Sequence, residues 1–297
     1  MCVRVADAIE VCGPAGRVLE VELYGPRDGQ AVIFQTGTPS PGKLFAPLVE
    51  AGVSRGVRHV AYSRPGYGRS ERALGRSVAD CAQDIVAVAD RLGIGRFYTV
   101  GWSGGGPHAL ASAALLADRV IAAATLASPA PRDAEGLEWL MGMGAENVEE
   151  FRAADAGEEQ LRAYLDQHAP HLGHATGPDL RAVLGGLLSD VDARVLTGEF
   201  AEYLASCTRA ALEHGVWGWL DDDLAFVRDW GFDLGAISVP VAIWHGGEDR
   251  FVPYAHGRWL AEHAAGATPH LHPDHGHLSL AVGSYDAVLA DLLAHPA

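Results

Sequence analysis

Apolar and polar positions along the chain fall into two recurring patterns. Residues 17–24 alternate apolar with polar side chains and residues 31–34 form a short apolar run, so both are predicted as strands. An antiparallel pair of these two at a sheet edge fits the pattern. Strand and helix then alternate: a strand at 59–62, a helix over 77–92, a strand at 97–100 and a helix over 107–117. Apolar runs at 120–126 and 239–244 are predicted as buried strands, and helices over 254–265 and 278–294 flank a last strand at 268–271. The helix over 77–92 is the best signalled, with Cys81, Ile85, Val88 and Leu92 at helical spacing, Ser77 as its N-cap and Gly93 where the chain leaves it. Such alternation calls for an α/β fold, a mostly parallel sheet with helices on both faces.

One stretch breaks the alternation. Residues 133–235 have helical patterning and no strand pattern, so the chain divides into a core of residues 1–132 and 236–297 and a helical insertion over 133–235, expected to act as a lid. Charge divides the same way, since the insertion holds 21 acidic side chains against 6 arginines, nearly all of the chain's net charge of -16. The insertion is also rich in aromatic residues, most expected in its own core. Trp139, Met143 and Trp217, with Trp102 in the core segment, are the candidates for lining a substrate pocket.

Composition narrows the class. Over 297 residues, 48% hydrophobic and 20% charged positions supply a sizeable core and exclude a disordered chain or a fibrous rod. The acidic balance has the wrong sign for neutralising many phosphates, so nucleic acid and anionic membrane surfaces are not expected partners. Cys2, Cys12, Cys81 and Cys207 are widely spaced with no C-x-x-C pair, which suggests free thiols in a reducing compartment. Arg4, Asp7 and Glu10 interrupt the first residues, leaving no apolar stretch of signal-peptide length, and no run of 18 apolar residues follows, so the expected location is cytoplasmic.

The strongest chemical signal is Gly101-Trp102-Ser103-Gly104-Gly105, directly after the strand at 97–100 and directly before a helix. Small residues around the serine let the chain turn sharply and present Ser103 Oγ at a helix N-terminus, where backbone N–H groups favour developing negative charge. A serine hydroxyl is a weak nucleophile and needs a histidine base held by an acid. Asp249 follows the strand at 239–244 and His277 follows the last strand, so the order is Ser, Asp, His. His275 is the rival base and Asp133 the rival acid.

With these motifs in place, the chain resembles the α/β-hydrolases, specifically lid-bearing, esterase-like serine hydrolases, over nearly its full length. Thr36-Gly37-Thr38-Pro39, Arg64-Pro65-Gly66-Tyr67-Gly68-Arg69-Ser70 and Trp230-Gly231-Phe232-Asp233 match the family's pattern as well. The resemblance implies an oxyanion hole from the backbone N–H groups of Thr38 and Gly104. Thr36 stands where many relatives carry histidine, which leaves the support of that loop open. Arg64 is expected to hold its loop by hydrogen bonds without touching substrate.

No metal or other cofactor is expected. His168, His171 and His174 are three apart, but Pro170 is expected to interrupt a helix there, and no cysteine or acidic ligand stands at a zinc spacing. The function this pattern predicts is cleavage of a small neutral or moderately apolar ester, thioester or lactone through an acyl-enzyme on Ser103. A cationic group on the substrate would also suit the acidic insertion. An aminopeptidase of the proline iminopeptidase type, a carbon–carbon hydrolase, a perhydrolase or a lyase would share the triad. A receptor that keeps the site only to bind a small molecule is the alternative of a different class.

Overall fold

The buried runs of the chain assemble into one sheet in the computed structural model, which describes residues 7–296. Its strands are β1 (Asp7–Cys12), β2 (Val18–Tyr24), β3 (Gln30–Gln35), β4 (Val57–Tyr62), β5 (Phe97–Trp102), β6 (Val120–Leu126), β7 (Val241–Gly246) and β8 (Ala267–His272). They lie in the order β1-β2-β4-β3-β5-β6-β7-β8. The pairings β1/β2 and β2/β4 are antiparallel and all others parallel.

The expected pairing of residues 17–24 with 31–34 is not formed, because β4 lies between them, with Val21 opposite Tyr62 and Ile33 beside Val60. Burial explains the order. Residues 31–35 of β3 are buried without interruption, which demands an interior strand, whereas β2 alternates and tolerates a place near the edge. The edge partner of β2 is β1, which the sequence pattern did not disclose because only Val11 in it is buried.

Helices α1 (Ala46–Ser54), α2 (Cys81–Arg91) and α3 (Gly106–Leu115) cross over between the early parallel strands, and α10 (Tyr254–His263) and α11 (His277–Leu293) follow β7 and β8. Leu48 and Val49 of α1 and Leu280, Val288 and Leu289 of α11 pack with Val32 and Phe34 on one face of the sheet. Ile85 and Val88 of α2, Leu110 of α3 and Leu260 of α10 pack with Ile33 and Val60 on the other. The alternation Val32, Ile33, Phe34 thus divides two cores.

Between β6 and β7 run α4 (Ala145–Ala156), α5 (Glu158–His174), α6 (Leu180–Leu184), α7 (Asp190–Val195), α8 (Gly198–Leu212) and α9 (Trp217–Phe226). Two local expectations change. Helix α2 starts at Cys81, four residues later than expected, because the Ser77 N–H and hydroxyl both donate to Asp80 Oδ2 and form a turn ahead of the helix. Gly93 does leave the helix in the left-handed region, at φ +68. Helix α5 continues through Pro170, whose missing N–H falls on an exposed side while Leu161, Leu165 and Ala169 bury the other. No helix among the described residues is long and apolar enough to cross a membrane. Cys12, Cys81 and Cys207 are free thiols, and Cys2 lies outside the described residues.

Candidate active site

Ser103 occupies the junction of β5 and α3 with φ +54, a left-handed conformation that costs a side-chain-bearing residue about 1–3 kcal/mol. The glycines around it make the turn feasible. A Cβ at Gly101 would overlap the Gly105 carbonyl, and one at Gly105 would overlap the Gln35 carbonyl of β3. A Cβ at Gly104 would overlap Thr38 Oγ1, so the loop after β3 presses directly against the residue after Ser103.

Asp249 lies in the loop after β7 and His277 opens α11. His277 Nδ1 stands 2.8 Å from Asp249 Oδ2, while Asp249 Oδ1 accepts the N–H groups of Phe251 at 2.9 Å and Val252 at 2.8 Å. Both oxygens are therefore committed, and with an ionised Asp249 the histidine must carry its proton on Nδ1, leaving Nε2 as the free acceptor. The imidazole lies between aromatic rings, with centroids 4.6 Å from Phe251 and 5.8 Å from Trp102.

Ser103, His277, Thr38 and Gly104 line one cavity of about 540 Å³ beneath the helices of the insertion. The rivals are elsewhere: Asp133 is exposed, and the His275 ring packs edge-on against His272 with centroids 5.3 Å apart. Trp102, Trp139 and Met143 line the cavity as expected of pocket residues. Trp217 does not. Its ring takes the guanidinium groups of Arg72 and Arg162 at 4.4 and 4.2 Å from its centroid, and Trp219, two residues on, faces the cavity instead. Helical spacing explains the exchange, since residues two apart on α9 lie about 200° apart around its axis and so face different sides, with Gly218 between them against the Tyr67 ring.

The loop carrying Thr38 is held from below by a buried ion pair. The Arg64 guanidinium donates to the carbonyls of Thr36 at 2.5 Å and Gly37 at 3.0 Å, and to Thr38 Oγ1 at 3.0 Å. It also pairs with Asp222 at 2.6 Å, and Asp222 accepts from Thr38 Oγ1 at 2.6 Å, Tyr67 Oη at 2.9 Å and Arg76 at 2.6 Å. Although burial opposes ionisation, the charges of Arg64 and Arg76 hold the Asp222 carboxyl far below the usual carboxylate range. Arg64 thus supports the loop that carries Thr36 and Thr38.

Asp221, Asp222 and Asp223 form an acidic run inside the otherwise apolar segment Trp217-Gly218-Trp219-Leu220-Asp221-Asp222-Asp223-Leu224 and all are buried, a mismatch of type and burial that the sequence reading did not single out. Asp192 of α7 gave no such signal. It accepts the N–H groups of His277, Leu278 and Ser279 at 2.9, 2.9 and 2.8 Å. Among the described residues no group of three potential ligands is arranged to hold a metal ion; His168 and His174 instead place Nδ1 at 2.8 and 2.6 Å from the carbonyls of Tyr164 and Pro170.

A model of the α/β hydrolase fold matches residues 30–284, and the chain belongs to that family. It is 27% identical over 284 residues, 93% of this chain and 96% of the other, to a protein of Variovorax paradoxus named as a candidate carbamate hydrolase. It is 29% identical over 235 residues, 78% of this chain and 79% of the other, to a non-heme chloroperoxidase of Streptomyces lividans. A solved structure of a thermophilic esterase from Thermogutta terrifontis superposes over 98% of this chain and all of its own with a TM-score of 0.69, at 18% identity, a likeness of fold.

Proposed function

We propose that the chain is a serine hydrolase that cleaves a small neutral or moderately apolar ester, thioester or lactone. The observation that carries this is the Asp249–His277 pair, 2.8 Å apart, on the cavity into which the strained Ser103 also opens. In the first step His277 Nε2 takes the Ser103 proton as Oγ attacks the acyl carbon, and Asp249 stabilises the imidazolium. The Thr38 and Gly104 N–H groups receive the negative oxygen, and loss of one such donor would cost about 3 kcal/mol of transition-state stabilisation. Collapse expels the alcohol or thiol with the proton from His277, and water, deprotonated by the same histidine, releases the acid. Trp139, Phe151 and Trp219 of the insertion over 133–235 line the cavity, which supports a lid role for that segment.

Two curated relatives carry the name chloroperoxidase, which favours one second reading. Hydrogen peroxide attacking the same acyl-enzyme in place of water would give a peracid and regenerate the serine.

Labelling with a fluorophosphonate, read by peptide mass spectrometry, tests the central claim without a guess at substrate. The expected result is an adduct on Ser103 that falls sharply in His277→Ala. An unlabelled, folded wild-type chain would overturn it. Peracid formation on adding peroxide to an ester assay separates the second reading from the first.

A further inference from the structure

The cavity that holds Ser103 is mostly apolar, yet three acidic side chains from the insertion line it: Glu146, whose Oε1 accepts the Gly186 N–H at 2.9 Å, and two that lie beside one another. Glu150 of α4 is half-buried and faces the cavity, and Asp223 of α9 is 1% exposed and lines the same wall. Glu150 Oε1 accepts the Trp219 indole N–H at 2.8 Å. Asp223 Oδ2 is buried and receives no hydrogen bond from any donor group of the described residues. The two carboxyls neighbour one another on this wall, so two negative charges there repel, and a proton or a cation shared between them relieves the repulsion. Burial, and for Asp223 also the charge of Glu150, pushes both groups above the usual carboxylate range.

A purely apolar ligand would leave this pair as it is. Burial of two carboxyls beside a ligand cavity, with one oxygen unsatisfied, is costly unless something completes it. No lysine or arginine lines the cavity. His168, His171 and His277 are the histidines that line it, and His168 stacks on Tyr164 with centroids 4.1 Å apart and places Nδ1 on the Tyr164 carbonyl; Arg76, which also acts on Asp223 by its charge, is spent on Asp222 behind the wall. Trp139, Trp219 and Phe226 line the cavity as well, so aromatic surface accompanies the carboxyls. Carboxylates beside aromatic faces are the chemistry that selects a cation, with N–H donors for the oxygens and ring quadrupoles for the charge.

We propose that Glu150 and Asp223 form a recognition subsite for an ammonium group, so that the substrate is an ester, thioester or lactone that carries an amine remote from the scissile carbonyl. The word substrate rests on the hydrolase reading, whereas the subsite itself is a matter of binding. An ammonium donates to both carboxyls at once, and an anionic tail is repelled from the same wall.

The test has a binding arm and a catalytic arm. Calorimetry compares n-heptylammonium with 1-heptanol on the intact chain and on Glu150→Gln and Asp223→Asn, both close to isosteric. At least tenfold tighter binding of heptylammonium is expected, with the preference lost in both variants. Equal affinity, absence of binding by either probe, or a preference that survives in both variants overturns the subsite. The catalytic arm compares p-nitrophenyl 6-aminohexanoate with p-nitrophenyl heptanoate, which differ only by an ammonium in place of a methyl group. A kcat/KM ratio of ten or more supports the proposal, and a ratio near one, with both esters requiring Ser103, overturns it while the hydrolase reading stands. Hydrolysis of neither ester beside a heptylammonium preference that vanishes in the variants overturns the hydrolase reading and leaves the ammonium site. Should both variants fail to fold, the wild-type ratios decide alone.

Discussion

Asp192 holds His277 by its backbone. The carboxylate, 0% exposed, comes from α7 in the insertion and accepts the first three N–H groups of α11, of which the His277 N–H, at 2.9 Å, is the first. Those N–H groups have no partner within the helix, and a carboxylate at a helix N-terminus is favoured by the dipole as well. Gly276 permits the approach, since a Cβ there would overlap the Asp192 carboxyl. The insertion therefore does more than cover the cavity: it fixes where the imidazole stands.

Asp192→Ala is accordingly expected to lose about 2–4 kcal/mol of stability in urea unfolding, because buried donors lose their acceptor. It should also lower kcat on an ester more than it raises KM, since a displaced imidazole affects proton transfer more than binding. Asp192→Asn keeps one acceptor oxygen and should fall between. An Asp192→Ala chain with wild-type kcat would show that α11 positions His277 unaided.

Arg64→Lys tests the support of the Thr38 loop. An ammonium is a point charge and cannot make the fork of bonds to Thr36, Gly37, Thr38 and Asp222 that the guanidinium makes. A drop of 10–100-fold in kcat is the expected outcome, about 1.4–2.7 kcal/mol, with Asp222 still held by Arg76. Steady-state kinetics on a single ester measure it, and an unchanged kcat would place the loop's rigidity elsewhere.

Much of the sheet and the order Ser103, Asp249, His277 were legible because each depends on local pattern: an apolar run, then a turn that only small residues permit. What was not legible depends on non-local burial. The alternation of residues 17–24 looks the same at an edge as one strand in, and only the full burial of β3 decides that β4 stands between. Arg64 was expected to hold its own loop, but its guanidinium holds the loop at 36–38 instead, and neither that loop nor its partner Asp222, 158 residues away in sequence, was legible as its target. Trp217 and Trp219 are equal by composition, but two apart on α9 they face opposite sides, one toward Arg72 and Arg162 and the other toward the cavity, and which side is which depends on the packing of the whole helix. Pro170 has the residue type of a helix breaker, yet the buried side of α5 outweighs one lost bond.

Asp249→Asn isolates the role of the acid. Asparagine Oδ1 still accepts from Phe251 and Val252, so the loop keeps its shape, but its amide would present N–H donors to His277 Nδ1. The imidazole would then hold its proton on Nε2 and be unable to accept one from Ser103. Loss of kcat on the order of 10⁴-fold is expected, with little change in unfolding midpoint. A loss below tenfold would mean that another group orients the base.

Buried histidines set an acid limit on stability. His59, His108 and His256 are 0–1% exposed, and burial lowers their pKa values to about 4, about 3 and about 4. Below the unfolded value of about 6.5 the unfolded chain takes up protons that the folded chain refuses, so stability falls as pH drops from 6.5 toward 4. Asp84, raised to about 6 by burial, works in the opposite sense, since the folded chain binds its proton first as pH falls. A single substitution separates these contributions. His59 makes one side-chain contact to a polar group, 2.7 Å from Tyr285 Oη, which glutamine is able to keep. Between pH 7 and pH 5 the His59→Gln chain should lose about 2 kcal/mol less stability than the wild type, measured by denaturant unfolding at both pH values. Parallel losses in the two proteins would mean that His59 is protonated in the folded state, with solvent reaching the ring behind Tyr285.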